Sequence, residues 1–150
     1  MRQMLTAACL VLTAGAATAQ DGSPRIDEIY WHNIDGYCAF MLADHTINYD
    51  DPGSWRWVLF SNFPTDGVDP LEMPFVRIDG QLKQLRQTGI EAVDGGEVRR
   101  YTSQDAEPYN VEVSLLEGEK GYESTGFSGV IRVTRNGASN EVAYKGDCGV

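Results

Sequence analysis

At 150 residues the chain has the length of one domain, large enough to bury a core of its own. Its 22 acidic side chains against 12 basic ones give a net charge of −10 at pH 7. That excess repels phosphate backbones and anionic lipid surfaces, so it argues against nucleic acid and membrane adhesion and favours cations and basic proteins as partners. The same acidity is also compatible with a role in solubility alone.

The chain opens on Met1, Arg2 and Gln3 and then carries no charged residue from Met4 to Ala19. A charged start, an apolar stretch and the small residues Ala17 and Ala19 around Thr18 read as a secretory signal cleaved before Gln20. The apolar run is too short, and too rich in Ala and Thr, for a membrane span, and no later segment approaches the roughly 20 apolar residues a spanning helix needs. Leu5 to Cys9 loosely resembles a lipoprotein cleavage box, but it stands too early, because the apolar stretch continues past Cys9. Cleavage removes Arg2 from the 12 basic residues, leaving 22 acidic against 11 basic, a balance of −11. It also removes Cys9, and in an oxidising compartment the remaining pair, Cys38 and Cys148, is expected to form one disulfide. The expected location is therefore the periplasm or the exterior.

Gly, Pro, Asp and Asn recur at short intervals along the rest of the chain, which leaves little room for long helices. Residues 20–28 read as a flexible N-terminal arm and 29–150 as a single β domain. Tyr37 to Ala43 is the first strand, apolar on both faces. A polar loop from Asp44 to Ser54 follows, then a strand from Trp55 to Ser61, then a turn-rich loop with Pro64, Asp66, Gly67, Asp69 and Pro70. Met73 to Ile78 and Gln81 to Gln87 flank Asp79-Gly80, a dipeptide suited to a two-residue hairpin; Leu82 and Leu85 leave a helical turn open for the second arm. Gly89 to Gly96 reads as a connection. Val98 to Ser103, Tyr109 to Leu116, and Val130 to Arg135 returning through Asn136-Gly137 into Glu141 to Lys145 complete the set. The sum is an all-β fold, a small antiparallel sandwich or barrel of about 7–8 strands. Local patterns do not separate the two, because closure depends on stagger.

Chemical motifs are sparse. His32 and His45 belong to no spacing that gathers metal ligands, and neither a metal nor a cofactor is expected. His45 beside Asp44, with Asp50 and Asp51 downstream, is the strongest polar group; an EF-hand is excluded because its glycine and closing glutamate are not in place. Gly126-Phe127-Ser128-Gly129 falls short of a nucleophile elbow by one position and sits at a hairpin entry. Tyr30, Trp31, Tyr49, Trp55 and Trp57 crowd one stretch, suited either to a core or to a binding face.

In size, signal, single disulfide and β content the chain resembles the small periplasmic lysozyme inhibitors, although no stretch matches their inhibitory motif. The leading expectation is an exported, non-enzymatic module that binds a basic envelope protein, possible inhibitor behaviour included, through Asp44, His45, Tyr49, Asp50, Asp51 and Trp55. One alternative is a small hydrolase or metal-dependent enzyme centred on the same Asp44–Asp51 loop; another is an accessory subunit of an envelope complex.

Overall fold

A computed structural model describes residues 22–31, 36–62 and 73–149. The segment read as a signal, Gln20, His32 and the loop from Pro64 to Pro70 lie outside the described residues. The elements are β1 (Ile26–Asp27), β2 (Ile29–Tyr30), β3 (Cys38–Leu42), a 3₁₀ turn (Pro52–Ser54), β4 (Arg56–Trp57), β5 (Leu59–Asn62), β6 (Met73–Ile78), β7 (Gln81–Val93), β8 (Gly96–Ser103), β9 (Asn110–Lys120), β10 (Ser124–Arg135) and β11 (Ala138–Gly149).

From β5 onward each long strand pairs antiparallel with the next, and β11 returns to pair with β3, which pairs with β5. The result is a closed eight-stranded up-and-down barrel, so the fold is the barrel of the two expected alternatives. The disulfide lies on the closing seam: Cys38 and Cys148 are register partners in β3 and β11, and their sulfurs are bonded at 2.07 Å.

Alternation places one face of every strand inside. Phe40, Leu59, Val76, Ile78, Leu85, Tyr101, Val111, Val113, Leu115, Ile131, Val133 and Tyr144 fill the interior. Phe40 and Tyr144 pack with ring centroids 4.5 Å apart, and the Tyr144 hydroxyl donates to the Ser114 carbonyl at 2.7 Å, so the phenol's polar end is satisfied inside the barrel. Inward-facing Gly129 and Gly146 let neighbouring strands approach. A Cβ there would lie 1.9 Å from the Ser114 oxygen and 2.1 Å from the Ala39 oxygen respectively, which only glycine avoids.

The two dipeptides read as hairpins are hairpins. Asp79 and Gly80 have φ of 50° and 79°, Asn136 and Gly137 of 51° and 81°, the paired left-handed geometry whose twist matches the flanking strands. Gly89 to Gly96 is not a connection: β7 runs on to Val93 and turns into β8 through Asp94-Gly95, with an irregularity between Gln87 and Gly89. The second arm is strand, not helical turn.

Within the segment 20–28, read as a flexible N-terminal arm, Ile26–Asp27 forms β1. β1 pairs with Arg77 and Ile78, on the same edge of β6 that β5 occupies lower down, because the chain bends away at Val58 and vacates the position. Beyond that bend β4 leaves the barrel and pairs with β2. Phe60 points outward yet is buried, stacked on Phe75 at 4.9 Å and covered edge-on by Trp31 at 5.7 Å. The expected strand from Trp55 to Ser61 is therefore two strands serving two sheets.

Candidate functional site: an acidic loop at the turn end of the barrel

The barrel has a turn end, where the chain passes from β6 to β7, β8 to β9, and β10 to β11, and a mouth at the opposite end. The Asp44–Trp55 loop leaves β3 at the turn end. Its base is fixed by the Ala43 amide on the Ala143 carbonyl and the His45 amide on the Leu42 carbonyl, each at 3.0 Å. Beyond the base, the loop satisfies its own polar groups. The Asn48 amide donates to the Ser54 hydroxyl oxygen at 2.8 Å, and the Asp50 amide to the Asn48 side-chain oxygen at 3.1 Å. Asp51 caps the 3₁₀ turn by accepting from the Gly53 amide at 3.0 Å, and the Trp55 indole donates to the Asn48 carbonyl at 3.2 Å. These internal bonds brace the loop backbone.

His45 is the residue on which the enzymatic alternative turns. Its Nε2 lies 2.6 Å from the Ser54 carbonyl oxygen and its Nδ1 3.0 Å from Arg56 Nη2. A carbonyl only accepts and a guanidinium only donates, so the tautomer with its proton on Nε2 satisfies both contacts. Arg56 is held in turn by Glu28 at 3.1 Å. The structure thus brings His45 together with Ser54, Arg56 and Glu28, and its two ring nitrogens bond to groups other than Asp44, Asp50 and Asp51.

The remaining site residues face outward. Asp44, Asp50 and Asp51 are exposed, and Tyr49 is 81% exposed, meeting the half-buried Trp55 edge-on at 6.4 Å. No Lys or Arg among the described residues is paired with these three carboxylates. The outer wall of the barrel differs, because Glu91, Arg100, Glu112, Arg132 and Glu141 alternate across β7 to β11 at 2.7, 3.1, 3.6 and 2.9 Å and largely cancel one another. The loop is left as a place where the negative charge of the chain is not answered locally.

A second turn-end cluster went unseen in the sequence. Tyr109, 4% exposed, donates its hydroxyl proton to Asp79 at 2.8 Å and accepts from Arg135 at 2.7 Å, and the Arg135 guanidinium stacks on the ring at 4.5 Å. Lys83 pairs with Asp105 at 2.6 Å, Ser103 donates to the same carboxylate, and the Tyr109 amide donates to Ser103. Burial, and then the bond to Asp79, raises the Tyr109 phenol above its ordinary pKa; Lys83 and Ser103 lower that of Asp105. Asp27 is lowered by the Arg25 guanidinium. A cleft of about 240 Å³ beside this cluster is lined by Gly22, Pro24, Asp79, Glu107, Arg135 and Asn136. The Asp79 and Asn136 turns were legible, but nothing local says that residues 26 and 30 positions from Tyr109 converge on its hydroxyl.

Fold and site define an acidic eight-stranded up-and-down barrel with an ordered, aromatic-tipped loop. No known family, curated protein or solved structure matches the chain. Among the described residues no group of three or more His, Cys, Asp or Glu side chains is placed to hold a metal ion, and no helix is long and apolar enough to cross a membrane.

Proposed function

We propose that this is an exported, non-enzymatic binding module whose Asp44–Trp55 loop engages a basic protein of the cell envelope, with inhibition of a basic hydrolase as its most specific form. The observation that carries the reading is the contrast within the loop. The imidazole of His45 has both ring nitrogens committed, whereas Asp44, Asp50, Asp51 and Tyr49 project outward from a braced backbone. Export is supported by the uncharged run from Met4 to Ala19 and by the Cys38–Cys148 bond, which persists in oxidising compartments.

The three carboxylates supply the long-range part of recognition, raising the encounter rate with a cationic surface over a reach of about 8 Å at physiological ionic strength. Tyr49 supplies an aromatic anchor that charge alone lacks. The mature protein, immobilised and exposed to envelope extract, is expected to retain a basic protein at low salt and release it as salt rises. The Asp44→Asn, Asp50→Asn, Asp51→Asn triple variant should not retain it. Equal retention by the variant, or a hydrolytic activity abolished by His45→Ala, would contradict the proposal.

A further inference from the structure

At the mouth, β7 continues from Gln84, its last residue with a register partner in β6, to Val93. The inner face of β7, β8 and β9 therefore extends past the start of the neighbouring β6 at Met73. Register fixes which side chains stand on that face: Glu97 is opposite Leu115, Arg99 opposite Val113, and Glu117 opposite Phe127. Charged groups thus occupy the row that alternation reserves for the core. They border a cavity of about 640 Å³, lined with Gly95, Gly96, Leu115 and Phe127.

We infer that this mouth binds a small organic cation with an apolar tail, an amphipathic amine. Leu115 is buried and Phe127 packs against the core, so the floor is apolar, and the volume falls within the roughly 300–1,000 Å³ of small-molecule sites. The polar lining selects the head group. The Arg99 guanidinium is held by Glu97, which leaves one net negative charge among the lining residues. That charge rests on Glu117, whose partner Lys120 lies at 3.1 Å with both side chains more than half exposed. An exposed pair of this kind is weak. An ammonium group can therefore compete for Glu117 while its tail covers Leu115 and Phe127, and a carboxylate in the same position would face the like charge of Glu117. The site lies at the opposite end from the Asp44–Trp55 loop, so the two proposals fail independently.

The test is titration of the mature, ¹⁵N-labelled protein with octylamine, octanoate and ethylamine, following amide shifts. Octylamine is expected to move the signals of Glu97, Arg99, Leu115, Glu117 and Phe127 saturably and at least tenfold more tightly than octanoate or ethylamine. Glu117→Gln should weaken octylamine about threefold, and Lys120→Gln, which removes the competing cation, should tighten it by a similar factor. The opposite signs of those two effects separate binding from any loss of fold. Preference for octanoate, absence of shifts at the mouth, equal shifts with ethylamine, or indifference to both variants would each overturn the inference.

Discussion

At the turn end of the barrel, hairpins at Asp79-Gly80 and Asn136-Gly137 and the β8–β9 connection converge on Tyr109, whose hydroxyl lies between a carboxylate and a guanidinium. At the mouth, the seam between first and last barrel strands is held by Cys38–Cys148, and Glu97, Arg99 and Glu117 line a cavity at the rim. One end is joined by hydrogen bonds among Asp79, Tyr109 and Arg135. The other is joined by a covalent bond at the seam, beside a cavity of about 640 Å³ among the described residues. The difference teaches that a small barrel can tie its two ends by different means, side-chain hydrogen bonds at one and a disulfide at the other.

The largest expected effect tests the covalent side of that contrast. The Cys38→Ser, Cys148→Ser variant should lose several kcal/mol of unfolding free energy in denaturant titration. The chain-entropy model gives roughly 4.7 kcal/mol for a loop of about a hundred residues. Hydrogen exchange should quicken first around Ala39 and Asp147 beside the seam, while the Tyr109 amide stays protected. Equal loosening at both ends would break the contrast.

Tyr109→Phe tests the hydrogen-bonded side, with an expected cost of about 1–3 kcal/mol because Asp79 and Arg135 each lose a partner in a part-buried place. The raised phenol pKa means that its contribution is complete below the unfolded value of about 10 and is lost as pH rises through the folded value. The variant should therefore lose stability less steeply than the wild type above pH ~10. Asp105 has the opposite sign: its lowered pKa gives stability present above about pH 4 and lost as pH falls, so Asp105→Asn should flatten the acid limb of the stability curve. Smaller again is Gly137→Ala, where a left-handed φ of 81° makes a Cβ cost about 1 kcal/mol at the turn end, measurable as a shift in the denaturation midpoint.

How far these ends could be read in the sequence follows from the range of the forces that build them. Asp79-Gly80 and Asn136-Gly137 specify their turns through their own backbone preferences, and both hairpins were legible at two residues' resolution. The same dipeptide at Asp94-Gly95 was obscured by Gly89 and Gly96, which make a strand interior look like a loop. The bend at Val58 was hidden for a different reason. Every residue from Val58 to Ser61 is buried, two sheets share that stretch, and alternation has no single face to report. Closure of β11 on β3, and the meeting of Asp79, Tyr109 and Arg135, depend on stagger and on long-range contacts with no local signature. The Asp44–Trp55 loop was visible as a composition, three acids with two aromatics, but the engagement of His45 by Ser54 and Arg56 was not.

The account stands on that loop acting by encounter and contact rather than by turnover, and association kinetics test it most directly. With the basic partner retained from envelope extract, the wild-type association rate should fall as salt rises. The Asp44→Asn, Asp50→Asn, Asp51→Asn variant should associate more slowly at low salt, converge with the wild type at high salt, and show little change in dissociation rate. Association rates that coincide at every salt concentration would contradict the account.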